Sequence, residues 1–282
     1  MENYKQFIVS FKPFAVELVS GILWELPIDG ITENDTYLEI FTKESSALTK
    51  KDINELMQNV VNENLIESFE INENLVENKN WNEEWEKNVN IVHVTDKIVI
   101  KPSFKNYTPK EGQIIITIDP KMSFGTGEHQ TTKLVLSLCE KFINSGDKVL
   151  DVGSGTGVLA IASVMLGAKR AIGFDNDEWC KLNGDENIQL NNLSDKVEFR
   201  LAEISEIKEH DFDMVLANIN KHILLDIKTE LRSKIKPGGK LILSGLLIQD
   251  EQDINKSYLP LGFKLLDKFT MDEWIALAYE IV

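Results

Sequence analysis

Between positions 149 and 161 the chain reads VLDVGSGTGVLAI, an acid at 151 followed by glycines at 153, 155 and 157 between two apolar runs. Glycines let a backbone turn tightly and let a ligand approach the main chain. A helix that opens there offers free N–H groups and a partial positive charge. Two cofactor classes use such a turn. A dinucleotide wants G-x-G-x-x-G, with its pyrophosphate at the helix N-terminus. Here the third position is Val158, and Asp151 stands just before the turn, where it would oppose a pyrophosphate. The same carboxylate could bond, directly or through water, to a positively charged amino-acid end. S-adenosylmethionine has that end and no phosphate, so the pattern favours it over a dinucleotide.

Further acids stand at the ends of the following strands. Asp175 lies 18 residues beyond Gly157, where a strand-end acid can accept both hydroxyls of a ribose. Asp177 is the reserve for that role. Glu203 follows the third strand, near an adenine edge or simply on the surface. The histidines, at 93, 129, 210 and 222, and the cysteines, Cys139 and Cys180, show no ligand spacing, so no metal site is expected. His129, in a glycine-rich loop, reads as a hydrogen-bonding strut or as a base.

These residues need a scaffold. From IIITI (114–118) and KVLDVG (148–153) onward, strands and helices alternate: a helix at 156–168, RAIGFD, a helix at 178–192, KVEFRLA, DMVLANI, a helix from Lys221 to Lys236, and KLILSGLL. That order implies a doubly wound parallel sheet, a Rossmann-like α/β fold. The last two segments, 263–270 and 274–282, read as an antiparallel pair joined by Met271-Asp272-Glu273. Residues 1–75 differ. A strand at 4–11, a helix at 13–26 opening with Pro13, a hairpin around Glu33-Asn34-Asp35, a helix at 48–63 capped by Thr49 and a strand at 66–74 spell a ferredoxin-like α+β domain. It carries no catalytic signature and reads as a substrate-recognition module. Residues 76–90 are the expected linker helix, with Trp81 and Trp85 on one face, and 91–282 the catalytic domain.

Two segments flanking the glycine turn are more specific. DPKMSFGTGEHQTT (119–132) precedes it, and ANINKHIL (217–224) ends the fourth strand. With them the chain resembles the PrmA family almost throughout. The family's loop pattern, D/E-P-x-x-(A/S)-F-G-T-G-x-H-x-T-T, is matched in full. The resemblance implies a class I S-adenosylmethionine-dependent methyltransferase acting on lysine and N-terminal amines of large-subunit ribosomal protein eleven. It implies cofactor contacts at Thr132, Gly153, Asp175 and Asn218, with Asn218 also beside the reacting methyl. Gly155 and Asp151 of the turn, and Phe124 and Gly125 of the FGTG loop, complete the expected site, the loop acting as a lid. Many members read Asn-Ile-Leu-Ala where this chain reads Asn218-Ile219-Asn220-Lys221. Enzymes that methylate exocyclic base amines usually carry N-P-P-Y or D-P-P-Y there, with an aromatic to stack a flipped base; prolines and aromatic are absent here.

Bulk composition fits this reading. Thirty basic against 46 acidic residues give a net charge of −16, which disfavours a phosphate backbone and attracts a basic protein partner, or only keeps the chain in solution. No apolar run approaches the ~20 residues of a membrane span, and MENYKQFIVSF has no signal-peptide pattern. The expected setting is reduced and cytoplasmic, the expected state a monomer. A catalytically silent cofactor-binding module is the non-enzyme alternative.

Overall fold

The computed structural model describes residues 3–76, 89–119, 121 and 123–282. It divides into two compact units, Met1–Asn88 and Val89–Val282.

The first unit runs β1 (Tyr4–Lys12), α1 (Val16–Leu23), β2 (Gly30–Glu33), β3 (Tyr37–Lys43), α2 (Lys50–Asn62) and β4 (Ser68–Val76). Its sheet has the order β2-β3-β1-β4, all antiparallel, which is the ferredoxin-like arrangement. Alternation sets the inner face: Phe7, Val9 and Phe11 of β1 and Leu38 and Ile40 of β3 are buried. Against them pack Val19 and Leu23 of α1, and Ile53, Met57 and Val60 of α2, spaced for one helix face. Thr49 caps α2 as expected. Its hydroxyl accepts from the Asp52 N–H, and the Asp52 carboxylate accepts from the Thr49 N–H at 2.8 Å. Helix α1 starts later than Pro13, because the Ala15 N–H turns back to the Pro13 carbonyl before helical bonding begins. The expected linker helix with Trp81 and Trp85 lies at 77–88, outside the described residues; β4 already includes position 76.

The second unit opens with a small sheet: β5 (Val92–His93), β6 (Ile98–Lys101) and β7 (Ile114–Thr117). The IIIT run was expected in the alternating series of the main sheet; it pairs instead with β6, a short Ile/Val run not read as a strand. The rest follows the expected alternation: α3 (Gln130–Phe142), β8 (Lys148–Val152), α4 (Val158–Met165), β9 (Arg170–Asp175), α5 (Glu178–Leu190), β10 (Val197–Leu201) and β11 (Phe212–Asn218). Then come α6 (Lys221–Asp226), α7 (Lys228–Lys234), β12 (Ile235–Leu247), α8 (Glu251–Tyr258), β13 (Phe263–Met271) and β14 (Trp274–Ile281). The seven-stranded sheet is ordered β10-β9-β8-β11-β12-β14-β13. It is parallel from β10 to β12, and the closing hairpin is antiparallel. Order reverses between β8 and β11, the place where doubly wound sheets hold ligands.

Both faces of this sheet are covered, as β11 shows residue by residue. Met214 and Leu216 enter the core under α3 and α4, and Val215 and Ala217 enter the core under α6, α7 and α8. Two details depart from the sequence reading. The helix expected from Lys221 to Lys236 breaks at Ile227, and β12 begins at Ile235, where Phe212 offers a pairing partner before Pro237-Gly238-Gly239 shifts the register. Helix α8 was not anticipated. It is held by Ile254 and Tyr258, one turn apart and buried, and the Tyr258 hydroxyl donates to the Leu224 carbonyl at 2.6 Å.

Candidate active site

The glycine turn joins β8 to α4. Gly153, Gly155 and Gly157 have φ of +65°, +55° and +81°, a region costly for residues with a Cβ. Space adds a second reason. A Cβ on Gly155 would lie 2.3 Å from the Phe124 carbonyl oxygen, and one on Gly153 2.4 Å from Ile219 Cγ2. The FGTG loop is therefore packed backbone to backbone on the turn. The Thr156 N–H donates to the Phe124 carbonyl at 2.9 Å, and the Thr156 hydroxyl donates to the Gly125 carbonyl at 2.7 Å. A side chain on Gly125 would meet that hydroxyl at 2.7 Å. Gly125 and Gly155 are glycines because the two segments touch there, whereas a side chain on Gly127 would meet Ile100.

Beside them lies a cavity of about 450 Å³, a volume suited to a small organic cofactor. Of the residues expected to contact a cofactor, Phe124, Gly153, Gly155, Asp175 and Asn218 line it. Asp175, at the end of β9, has one carboxylate oxygen on the Gly155 N–H at 3.0 Å and the other on the Asp177 N–H at 3.2 Å. Each oxygen keeps a lone pair for a ligand hydroxyl. Asn218 ends β11, and its side-chain oxygen is buried with no partner.

The structure gives other expected residues different work. Asp151 is wholly buried and does not reach the cavity wall. Its Oδ2 accepts from the Ser154 hydroxyl and from the Ala160 N–H, one of the free donors of the first turn of α4. It braces the turn rather than reaching the expected amino-acid end. Burial pushes its pKa up to about 7, against the pull of those two hydrogen bonds. Of the two threonines opening α3, Thr131 lines the cavity; Thr132 is fully buried, with an unpartnered hydroxyl. Gly125 and Gly157 shape the loops without forming the wall. Asp177 does not substitute for Asp175: it caps α5, accepting from the Trp179 N–H at 2.7 Å. Glu203 does line the cavity and accepts from the Asn176 side-chain amide.

His129 caps α3. Its Nδ1 faces the Thr131 N–H and hydroxyl, and its ring lies edge-on between Phe124 at 5.3 Å and Trp274 at 4.8 Å. Trp274, Ile219 and Gly245 were not singled out from sequence, yet all line the cavity. Trp274 arrives through the pairing of β14 with β12, which no local pattern announces. Gly245 did carry a signal, a lone glycine inside an apolar strand run. Its φ is +80°, and a Cβ there would sit 2.4 Å from the Ile219 carbonyl.

What could the cavity hold? Among the described residues, the buried side-chain atoms without a partner include Ser123 Oγ, Thr132 Oγ1, Asp151 Oδ1 and Asn218 Oδ1, all on or next to the two loops and the end of β11. Such atoms are rare and call for a ligand or water. Among the described residues, the wall contains Asp175 and Glu203 and no lysine or arginine. A pyrophosphate would find no countercharge there, whereas a ribose and a cationic ligand would find acceptors. Among the described residues, no group of three histidines, cysteines, aspartates or glutamates is placed to hold a metal.

Comparison with known proteins agrees with this geometry. Residues 3–281 match the family model described as ribosomal protein L11 methyltransferase (PrmA). Relatives bearing that name include one from Desulforapulum autotrophicum, 38% identical over 70% of this chain and 66% of the relative. Another, from Acetivibrio thermocellus, is 36% identical over 68% of this chain and 61% of the relative. The matched stretch thus spans less than two thirds of either relative. A crystal structure of ribosomal protein L11 methylase from Lactobacillus delbrueckii subsp. bulgaricus superposes with a TM-score of 0.64 at 30% identity, over 68% of this chain and 98% of that one. With a family match from end to end, and the family's two glycine loops folded onto one another beside the cavity, the chain belongs to the PrmA family of ribosomal protein L11 methyltransferases.

Proposed function

We propose that the chain binds S-adenosylmethionine in the 450 Å³ cavity and methylates amines of ribosomal protein L11, the substrate its relatives are named for. One observation carries the reading: the FGTG loop is locked onto the glycine turn beside a wall that holds Asp175 and Asn218 and, among the described residues, no lysine or arginine. The cofactor, when bound, supplies an electrophilic methyl on a sulfonium.

The chain's own residues then have defined tasks. Asp175 accepts the ribose hydroxyls with the lone pairs its two N–H donors leave free. The backbone at Gly153 and Gly155 lies open to the ligand because no side chain intervenes. Asn218 lines the cavity, and its amide, whose oxygen has no partner in the chain, is able to bond to an incoming amine or to the methionine end and hold it in line. Phe124, Ile219 and Trp274 make that wall apolar. A lysine amine has a pKa near ~10.4 in water, and an apolar wall favours its neutral, nucleophilic form. The proton can leave through water, so no dedicated base is assigned. Residues 1–75 act as the recognition domain and 76–90 as the link that lets one substrate present several amines.

Incubating the purified chain with S-adenosylmethionine and unmodified ribosomal protein L11, then weighing the intact product, tests the reading. Mass gains in methyl units are expected. Cofactor binding without any gain would discard the substrate, and no binding would discard the site. A fragment of residues 89–282 should still bind cofactor and fail to methylate the protein; full activity in that fragment would remove the recognition role.

A further inference from the structure

Three buried asparagines, Asn183, Asn187 and Asn191, recur every four residues along one face of α5 and its C-terminal cap. Asparagine is a poor choice inside a helix, because its amide competes for backbone groups. Here the amides reach backbone groups of another segment. β7 lies at the edge of its three-stranded sheet, and the Ile114 and Ile118 N–H groups bond toward β6. The alternate residues Thr117 and Asp119 turn theirs to α5. Asn191 accepts from the Thr117 N–H at 2.9 Å and donates to the Thr117 carbonyl at 2.7 Å. Asn187 accepts from the Asp119 N–H at 3.0 Å, and Asn183 donates to the Asp119 carbonyl at 3.3 Å. Four residues of helix rise about 6 Å and two residues of strand about 6.6 Å, so the amides keep step with the strand edge.

Asn187 makes one bond more. Its Nδ2 donates to the Thr156 carbonyl at 2.9 Å. Thr156 is the residue of the glycine turn whose N–H and hydroxyl hold the Phe124 and Gly125 carbonyls. The Ala160 N–H, four residues on and the helical donor for that carbonyl, is taken by Asp151. A single amide, fully buried, thus ties the backbone that opens the 119–132 segment to the backbone of the turn on which the segment folds. Asp119 is anchored on its other side as well, its carboxylate accepting from the Ser103 N–H at 2.6 Å and hydroxyl at 2.7 Å. Asn187 itself does not line the cavity.

We infer that Asn187 is a positioning residue for the cofactor: it holds the entry to the FGTG loop and the glycine turn in one frame, so that Phe124, Gly153 and Gly155 form a wall before the ligand arrives. Preorganisation of this kind raises affinity by removing the cost of ordering the loops on binding. The inference rests on the reading that the cavity binds S-adenosylmethionine, and it names a residue away from the wall that sets the wall's shape.

The test measures the affinity of the whole chain for S-adenosylmethionine by calorimetry, well below the melting temperature. Asn187→Asp keeps the size of the side chain. When neutral, the new carboxyl can donate to the Thr156 carbonyl and accept from the Asp119 N–H, so both bonds survive. When ionised it only accepts, and its charge faces the Thr156 carbonyl. The dissociation constant of the variant, divided by the native value at each pH, should be near one at acid pH and rise about tenfold as the buried carboxyl ionises. The ratio cancels the native acids nearby, Asp119, Asp151, Asp175 and the Glu186 paired with Lys121. A ratio that is flat with pH, near one or raised, overturns the inference, even where the melting temperature follows pH. If the variant does not fold, hydrogen exchange of the native chain decides. The Asp119 amide should be protected before cofactor is added and remain so; rapid exchange in the free chain, slowed only by S-adenosylmethionine, overturns the inference. A native chain that does not bind S-adenosylmethionine overturns the reading of the cavity and this inference with it.

Discussion

The two units are both layered α/β structures, yet they use their residues in opposite ways. Among the described residues, Thr42 alone of the buried polar side chains belongs to the first unit; Asp151, Ser154, Thr156, Asn187 and their companions all belong to the second. Every glycine with positive φ is also in the second unit. The first unit is built from alternation and helix periodicity alone, and its buried interior is nearly free of unmet polar demand. The second spends stability on a cramped glycine turn and on polar atoms with no partner in the chain. Backbone conformations outside the usual wells and orphaned polar groups are tolerated where a ligand or a reaction uses them. The contrast locates the candidate site in the second unit, whose described residues line the cavity.

The sharpest way to break that comparison is Gly155→Ala. The new Cβ would meet the Phe124 carbonyl at 2.3 Å from a left-handed backbone, so cofactor affinity should fall more than about 100-fold, read by calorimetry. Gly146→Ala is the control: φ is also positive, but nothing lies within 4 Å. It should cost about 1 kcal/mol of stability and leave binding intact. Equal losses in the two variants would mean that packing of the loops is irrelevant.

Asn218→Ala comes next. On the role proposed for it, loss of this amide from the cavity wall should lower kcat by about 10²-fold, with a smaller change in cofactor affinity. An unchanged kcat would return the orphaned oxygen to a packing detail.

A third measurement sharpens the electrostatic side. The Asp151 pKa is raised from 3.8 to about 7 by burial. The folded state therefore holds its proton more tightly than the unfolded state does. This group's stabilising contribution is full below about pH 4 and is lost as pH rises to about 7. The second unit's melting temperature in Asp151→Asn, relative to the native chain, should rise steadily across that window. A pH-independent difference would show that Asp151 stays ionised throughout.

The smallest effect is expected in the first unit. Thr49→Ala removes the cap of α2 and should cost about 1 kcal/mol. Cofactor binding should not change, because the described residues that line the cavity all belong to the second unit. A matching loss of cofactor affinity would erase the division of labour between the two units.

Much of this molecule was legible one residue at a time. The alternation in β1 and β3, the cap at Thr49, the helix of Lys50–Asn62, the parallel run from β8 to β12 and the hairpin at its end all follow from local periodicity and turn chemistry. Short-range rules govern them, so sequence suffices. Asp175 and Asn218 were equally legible, because the fold places strand ends at the ligand side of the sheet. Helix α8 escaped notice because its apolar signal is two residues, Ile254 and Tyr258, in an otherwise polar segment. The strand at Ile98–Lys101 was missed because its partner, β7, was assigned to another sheet.

What sequence determined by itself was which residues were candidates: the acids, the amide and the glycines, marked by type and spacing. Tertiary structure decided which of them face the cavity. Asp151 and Thr132 turn into the protein, Asp175 and Asn218 into the cavity, and Trp274 enters from a strand at the far end of the chain. The physical reason is that a side chain's direction depends on what packs against it. A carboxylate two residues before a glycine turn can serve a ligand or the first turn of a helix, and only the approach of Ser154 and the Ala160 N–H commits Asp151 to the helix.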